Sequence, residues 1–156
     1  MTGFLKEDVF ALVVESTPLI SIDLVVKSLA NKILLGKRVN RPAQNFWFVP
    51  GGRMYKNEKL DQAFKRITLD ELGLTIERDD AKFLGVFEHF YGDSQFGLAL
   101  KDPSTHYVVL GHEILLKDED SLNLTEKQHT TYQWWDIMDL MKSDEVHPHT
   151  KDYFLS

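Results

Sequence analysis

The sequence predicts an α+β fold in which the strands of a mixed or antiparallel sheet accompany one long helix. β-Branched apolar runs recur along the chain, a central segment has helical spacing of apolar residues, and strands and helices do not alternate regularly. Most domains contain roughly 100 to 200 residues. We therefore expect residues 1–156 to form a single domain.

The first half of the chain favours a short helix followed by strands. Apolar residues have helical spacing over residues 5–15, and the tripeptide STP ends that segment. The runs LISIDLVVKS (19–28) and ILLGKR (33–38) flank a turn at Asn31 and predict a hairpin. The run FWFVP predicts another strand, which ends in a turn at residues 50–52.

The second half favours two strands and two terminal helices. The runs at residues 82–92 and 105–116 combine aromatic and β-branched residues and predict strands. Residues 132–143 and 146–156 are predicted as short helices, and Pro148 limits the second one.

The long helix, predicted for residues 58–72, carries a carboxylate among its apolar residues. It ends at Gly73, a common helix terminator. At about 100° per residue, Glu71 falls in the same stripe as Phe64 and Ile67. A buried carboxylate needs a cation, hydrogen-bond donors or a proton, and position does not choose between an arginine and a metal. Alternatively, Glu71 reaches solvent from a frayed helix end.

Composition and charge exclude several classes of protein. The net charge of −6 argues against nucleic-acid binding, yet residues 32–66 carry nine basic and two acidic side chains. Such a basic region on an acidic chain favours a small anionic ligand, although a solvated basic face is the alternative. No apolar run approaches the ~18 residues of a membrane span, and the first residues include acids and lack a signal-peptide pattern. With no cysteine, we expect a cytoplasmic protein without membrane association.

The turn and the long helix together contain a known signature. Its matching residues are Gly52, Glu58, Arg66, Glu71, Gly73 and Leu74. They fit the Nudix box, G-x₅-E-x₇-R-E-U-x-E-E-x-G-U, so the chain resembles the Nudix hydrolases. This resemblance implies a single Nudix domain over residues 1–156, with a mixed sheet sandwiched between helices. Two positions depart from the box: Ile67 and Asp70 stand where the family has glutamates, which leaves open whether Asp70 binds a second metal ion.

One branch of the superfamily shares the same lost carboxylate. The stretches FLKEDVFALVVESTPLISIDLVV, LLGKRVNRPAQNFWFVPGGR, FEHFYGD, THYVVLG and KQHTTYQWW resemble the Nudix enzymes that hydrolyse GDP-mannose. The resemblance covers nearly the whole chain. It implies Mg²⁺-dependent release of GDP and the free sugar from GDP-mannose or GDP-glucose, in a homodimer.

The resemblance also implies a ligand set for one metal ion. The Gly51 carbonyl, the Glu71 carboxylate and the Gln128 amide oxygen would bind one Mg²⁺, or Mn²⁺ in its place, and Mg²⁺ favours such oxygen ligands. Alternatively, Gly51 only permits a positive φ in the turn, and Gln128 is an exposed loop amide.

Other residues take catalytic and binding roles by the same resemblance. His129 would be the general base, and Arg38 and Arg53 would hold the diphosphate, since a guanidinium binds phosphate oxygens bidentately. Sugar and phosphate contacts are implied for Asp23, His89 and Tyr107, and guanine contacts for Phe4, Leu5 and Phe10. The alternatives are ordinary half-buried polar residues and an amphipathic helix that covers the sheet. His147 and His149, which flank Pro148, are predicted at the surface.

The reaction type has three alternatives. Loss of a carboxylate at Ile67 favours attack by water at the anomeric carbon with inversion, which gives GDP and the free sugar. A Nudix pyrophosphohydrolase would instead cut the P–O–P bond. A catalytically inactive nucleotide-binding module is the third.

Overall fold

The computed structural model describes residues 5–40, 43–92, 104–124 and 129–155. In chain order the elements are α1 (Glu7–Ser16), β1 (Leu19–Ser28), β2 (Lys32–Arg38), β3 (Trp47–Phe48), β4 (Gly51–Arg53), α2 (Leu60–Leu72), β5 (Lys82–Tyr91), β6 (Thr105–Leu116), β7 (His129–Asp136), α3 (Ile137–Lys142) and α4 (Pro148–Lys151). A 3₁₀ turn at Asp152–Phe154 follows α4. Within these ranges, no helix has the length and apolar character that crossing a bilayer requires.

The strands form one mixed sheet, as predicted. Its central order is β3-β2-β1-β6-β5, with β4 paired to β1 and β7 paired to β2. β1 and β6 are parallel over their length, from Leu19 opposite Tyr107 to Ser28 opposite Leu116, and the other pairs are antiparallel. The predicted β1–β2 hairpin is confirmed, and Asn31 has the positive φ of 61° that its turn requires.

Apolar residues are buried on both faces of this sheet, because alternate residues of a strand point to opposite faces. On one face, Ile22 and Leu24 of β1 pack with Phe64 and Ile67 of α2. On the other face, alternating residues of β1 and β2 pack with Leu140 of α3 and the segment before α4. Helices therefore cover both sides, and the predicted sandwich is confirmed.

The predicted turn at residues 50–52 is wrong. Gly51 and Gly52 belong to β4, where they pair with Asp23 and Ile22 of β1. Among the described glycines, only Gly73 and Gly85 have a positive φ. Gly51 is needed for a different reason, since an added Cβ would lie 2.6 Å from the Ile22 carbonyl oxygen and would also collide with the Asp23 carboxylate.

The predicted helix over residues 132–143 is half wrong. Residues up to Asp136 continue β7, with Trp134 opposite Leu34 of β2, and only Ile137–Lys142 is helical. Aromatic residues suit a strand, and β2 needs a partner on that side. The long helix α2 begins at Leu60, two residues after the predicted start, and ends at Gly73 with a φ of 70° as predicted.

Candidate functional site

The loop between β4 and α2 is closed by an ion pair. Arg66 donates from Nε to Oε2 of Glu58 over 2.7 Å and from Nη2 to Oε1 over 2.9 Å. Glu58 also accepts from the Tyr55 backbone, and Arg66 donates to the Arg53 carbonyl oxygen over 2.8 Å. The hydrogen bond from Arg66 lowers the pKa of Glu58. This part of the basic region therefore holds the loop together.

The sheet-facing side of α2 buries Glu71, as its position in the apolar stripe predicts. Its side chain is 7% exposed, and Phe64 and Ile67 on the same stripe are fully buried. The alternative of a solvent-exposed carboxylate is wrong. Asp70, in contrast, is exposed and has its Oδ2 3.5 Å from Nη1 of Arg66.

Of the three predicted metal ligands, Gly51 and Glu71 are among the described residues. Ile67 lies against β4, where a Cβ on Gly52 would be 3.2 Å from Ile67 Cγ1, and Glu71 follows one helical turn later. No group of three or more His, Cys, Asp or Glu side chains that could hold an ion occurs in the described ranges. One carboxylate with carbonyl and amide oxygens fits Mg²⁺, which takes one or two carboxylates. Gln128, the predicted amide ligand, lies outside the described residues.

A second carboxylate lies on the opposite face of the sheet. Asp23 is flanked in register by Gly51 of β4 and Gly111 of β6, and these glycines leave space around its side chain. Tyr153 donates a 2.5 Å hydrogen bond to its Oδ2. Burial raises the pKa of Asp23 to about 6, although this hydrogen bond and the charge of Arg38 oppose the shift.

Arg38 and Arg53, the two arginines predicted to bind the diphosphate, affect the electrostatics around Tyr107. The Arg53 guanidinium lies over the ring of Phe10 and over that of Tyr55, 4.9 and 5.2 Å from their centroids. Burial raises the pKa of Tyr107, and the charges of Arg38 and Arg53 counteract that shift. The charge of Asp23 acts on Tyr107 as well, so these four groups lie within electrostatic range of one another.

The rings of His89, His147 and His149 form a wall of the candidate site. His89, 2% exposed, stacks on His149 with centroids 4.3 Å apart and planes 6° from parallel. Burial, with the charges of His149 and His147, lowers the pKa of His89 to about 3. His147 stacks on Phe48 at 4.7 Å, and burial lowers its pKa to about 4. Nε2 of His89 is buried without a hydrogen-bond partner among the described residues.

The C-terminal contribution to this wall was not predicted from the sequence. His147 and His149 are half-buried, so their predicted surface position is wrong. Tyr153 and Phe48 were also missed. The only signal was a concentration of histidine and aromatic residues around 147–154, which a Pro-containing terminal segment does not by itself assign to a pocket.

The remaining predicted residues lie near the edges of the described chain. Phe4 lies outside it, as does the His129 side chain, while the His129 backbone pairs with Arg38 across β2 and β7. Leu5 is 42% exposed. Phe10 contacts Arg53, and Val14 is the buried residue of α1, so α1 covers little of the sheet.

Comparisons with known proteins agree on the fold. The model of the NUDIX domain family matches residues 18–155. The chain is 35% identical to the low-salt glycan biosynthesis protein Agl8 of Haloferax volcanii, over 97% of this chain and 90% of that protein. A MutT NUDIX hydrolase from Burkholderia pseudomallei superposes with a TM-score of 0.68 at 22% identity, over 88% of this chain and 96% of that one. The NUDIX domain of Shewanella oneidensis NrtR, complexed with ADP ribose, gives 0.66 at 16% identity, over 96% of both chains.

Proposed function

The chain belongs to the NUDIX domain family, and from this premise we propose that it is a Mg²⁺-dependent hydrolase of GDP-mannose or GDP-glucose that releases GDP and the free sugar. The observation that carries the proposal is the buried Asp23, which lies between Gly51 and Gly111 in the sheet and accepts a hydrogen bond from Tyr153. The charge of Arg38 also acts on this carboxylate. A carboxylate for sugar hydroxyls and a guanidinium for phosphate oxygens are the two groups that a nucleotide sugar needs in one pocket. The relative named for glycan biosynthesis supports this class, because glycans are assembled from activated sugars.

Each part of the substrate has a matching set of residues. Arg38 and Arg53 would bind the diphosphate, and Tyr107, whose pKa is raised by burial, would donate a hydrogen bond from its hydroxyl to a phosphate oxygen. Asp23 and neutral His89 would face the sugar. The guanine base would lie against Phe4, Leu5 and Phe10 at the start of α1, and Phe10 already contacts Arg53.

Hydrolysis would break the bond between the anomeric carbon and the diphosphate. The Glu71 carboxylate, the Gly51 carbonyl and the Gln128 amide would hold the cation, which when bound supplies positive charge to the departing diphosphate. β4 would join the two faces of the sheet here, because Gly51 pairs with Asp23 and Gly52 lies against Ile67 of α2. His129 would take a proton from a water molecule whose oxygen attacks the anomeric carbon from the opposite face. The C–O bonding electrons leave with GDP, and the configuration inverts.

The apolar Ile67 favours cleavage of the bond to the anomeric carbon over cleavage of the P–O–P bond. It is 1% exposed and packs in the core, where it supplies no ligand for additional cations. A pyrophosphohydrolase that produces GMP and a sugar 1-phosphate is the second candidate, favoured by the retained Glu58, Arg66 and Glu71. An inactive nucleotide-binding module is the third.

Hydrolysis in ¹⁸O-labelled water distinguishes these candidates. With GDP-mannose and Mg²⁺, we expect the label in the sugar, unlabelled GDP and a first-formed β-anomer by NMR. Label in a phosphate product would replace the proposal with the pyrophosphohydrolase. Absence of any product, with GDP-mannose still bound by calorimetry, would identify a binding module.

We also propose that the protein is a homodimer. β5 ends the sheet and carries the exposed apolar side chains Phe83, Val86 and Phe90, which are 53%, 61% and 58% exposed. Exposed apolar patches commonly mark protein interfaces. Light scattering after size exclusion should give twice the chain mass, and a Phe90→Lys variant that is monomeric would assign the interface to β5.

A further inference from the structure

The end of the described chain reaches the centre of the site. Tyr153 lies in the turn after α4, 130 residues from Asp23, and its hydroxyl donates to the Asp23 carboxylate over 2.5 Å. Asp23 Oδ1, the other oxygen, lies toward Gly51 of β4. The two oxygens therefore have different environments, and the carboxylate has one defined orientation.

Backbone contacts fix the segment that carries Tyr153. His147 donates its N–H to the Trp47 carbonyl oxygen over 3.1 Å, and Trp47 donates to the Glu145 carbonyl oxygen over 2.9 Å. Thr150, fully buried, accepts at Oγ1 from the Val49 N–H. The segment is thus tied to β3 and to the residue after it, and the Tyr153 ring does not have to hold it in place.

The Tyr153 ring is held by contacts that do not involve its hydroxyl. It meets Phe87 edge to face at 4.6 Å, and a Cβ on Gly111 would lie 3.0 Å from its Cε1. Phenylalanine at position 153 would keep these contacts and remove only the donor. The Tyr153 hydroxyl is therefore not required for the packing of its ring, and it can have a separate role.

We propose that Tyr153 is a positioning residue that orients the Asp23 carboxylate toward the hydroxyls of the sugar. Without the Tyr153 donor, the carboxylate would rotate between the Gly51 and Gly111 sides and lose its fixed acceptor direction. This inference rests on the proposed function, since the sugar is the group that Asp23 would meet. It assigns the C-terminal segment a part in substrate selection.

A double-mutant cycle tests the inference. The kinetics of GDP-mannose hydrolysis would be compared for wild type, Y153F, D23A and the double variant, with F154L as the matched control because Phe154 packs against the same core. We expect Y153F to lower kcat/KM about 10- to 150-fold, the range for a hydrogen bond to a charged group. The loss should divide between kcat and KM as it does in D23A.

The double variant gives a second test of the hydrogen bond between Tyr153 and Asp23. In the D23A background, Y153F should change kcat/KM by less than about twofold, because the partner is already gone. F154L should stay within about threefold of wild type. A Y153F enzyme equal to wild type, or an undiminished loss in the D23A background, would overturn the inference.

A spectroscopic measurement separates this inference from the proposed function. If wild type does not hydrolyse GDP-mannose, the proposed function fails, and the ¹³C carboxyl resonance of Asp23, assigned with D23A, decides the role of Tyr153. That resonance should move in Y153F and remain in place in F154L. An unmoved resonance in Y153F would refute the positioning role whatever the substrate.

Discussion

The Arg66 guanidinium binds the Glu58 carboxylate through two nearly parallel hydrogen bonds, 2.7 and 2.9 Å long. Glu58 also accepts from the Tyr55 N–H in the loop between β4 and α2, and Arg66 donates to the Arg53 carbonyl oxygen at the end of β4. These two residues of the Nudix box thus connect the loop to the helix. Glu71, the buried carboxylate of the box, is the one that we propose for metal binding.

Replacement of Arg66 by lysine should lower the free energy of unfolding by about 2 kcal/mol, because lysine cannot donate both parallel bonds and leaves Glu58 poorly paired. Urea denaturation would measure the change. Lys65→Met is the matched control on the same helix. Its 2.8 Å pair with Glu77 is exposed, so its loss should cost less than about 0.5 kcal/mol. Equal losses in the two variants would contradict a structural role for Arg66.

Glu71→Gln should abolish metal-dependent turnover without unfolding the protein. Removal of the charge takes away the carboxylate proposed for the cation, and we expect a loss of at least about 100-fold in kcat. Mg²⁺ should raise the melting temperature of wild type and leave that of the variant unchanged.

Asp70→Asn is the control for Glu71→Gln. Asp70 is exposed and lies near Arg66, so its carboxylate should affect turnover by only a few fold. A loss as large as that in Glu71→Gln would mean that Asp70 binds a second metal ion, and the single-cation site would have to be abandoned.

Local patterns in the sequence predicted much of the fold. The hairpin at Asn31, the buried Glu71 and the end of α2 at Gly73 each depend on a turn residue or on helical periodicity within a short window. The strand at residues 129–136 was partly mistaken for a helix because its character depends on pairing with β2. The turn at Gly51 was wrongly predicted for a similar reason. A glycine is needed there because a larger residue would collide with Asp23 on the neighbouring strand.

Some residues of the candidate site were predicted from the sequence, and others were missed. Resemblance pointed to Asp23, Arg38 and Tyr107, and the charge of Arg38 acts on the pKa of both other groups. Their roles at a substrate stay a prediction. His147 and Tyr153 were missed because they enter the site from the far end of the chain. Long-range hydrogen bonds of that segment to Trp47 and Val49 help to bring them there.

His129→Gln should lower turnover by about 10²- to 10⁴-fold, the contribution typical of a general base. Substrate affinity and the unfolding midpoint should change little, because the amide keeps the size of the side chain. His106→Gln is the control, since His106 stacks on Phe90 away from Asp23. The measurement is kcat with GDP-mannose for the two variants. Near-normal turnover in His129→Gln would show that His129 is not the general base.

His89 should make the protein less stable in mild acid. Its folded-state pKa is about 3, well below the ordinary value of 6.5. Above pH 6.5 it is neutral in both states, whereas below that pH the unfolded chain takes up a proton that the folded protein excludes. Stability should therefore fall by about 1.4 kcal/mol per pH unit, or about 2 kcal/mol between pH 7 and pH 5.

The contribution of His89 can be isolated by comparison with His89→Asn. Asp23 has the opposite effect, because its raised pKa of about 6 makes the folded state bind a proton first as the pH falls. Asp23 and His147 are present in both proteins, so their effects cancel in the difference. Urea denaturation at pH 7 and pH 5 should show wild type losing about 2 kcal/mol more than the variant. Equal losses would mean that His89 becomes protonated inside the folded protein, and the neutral imidazole proposed beside the sugar would be wrong.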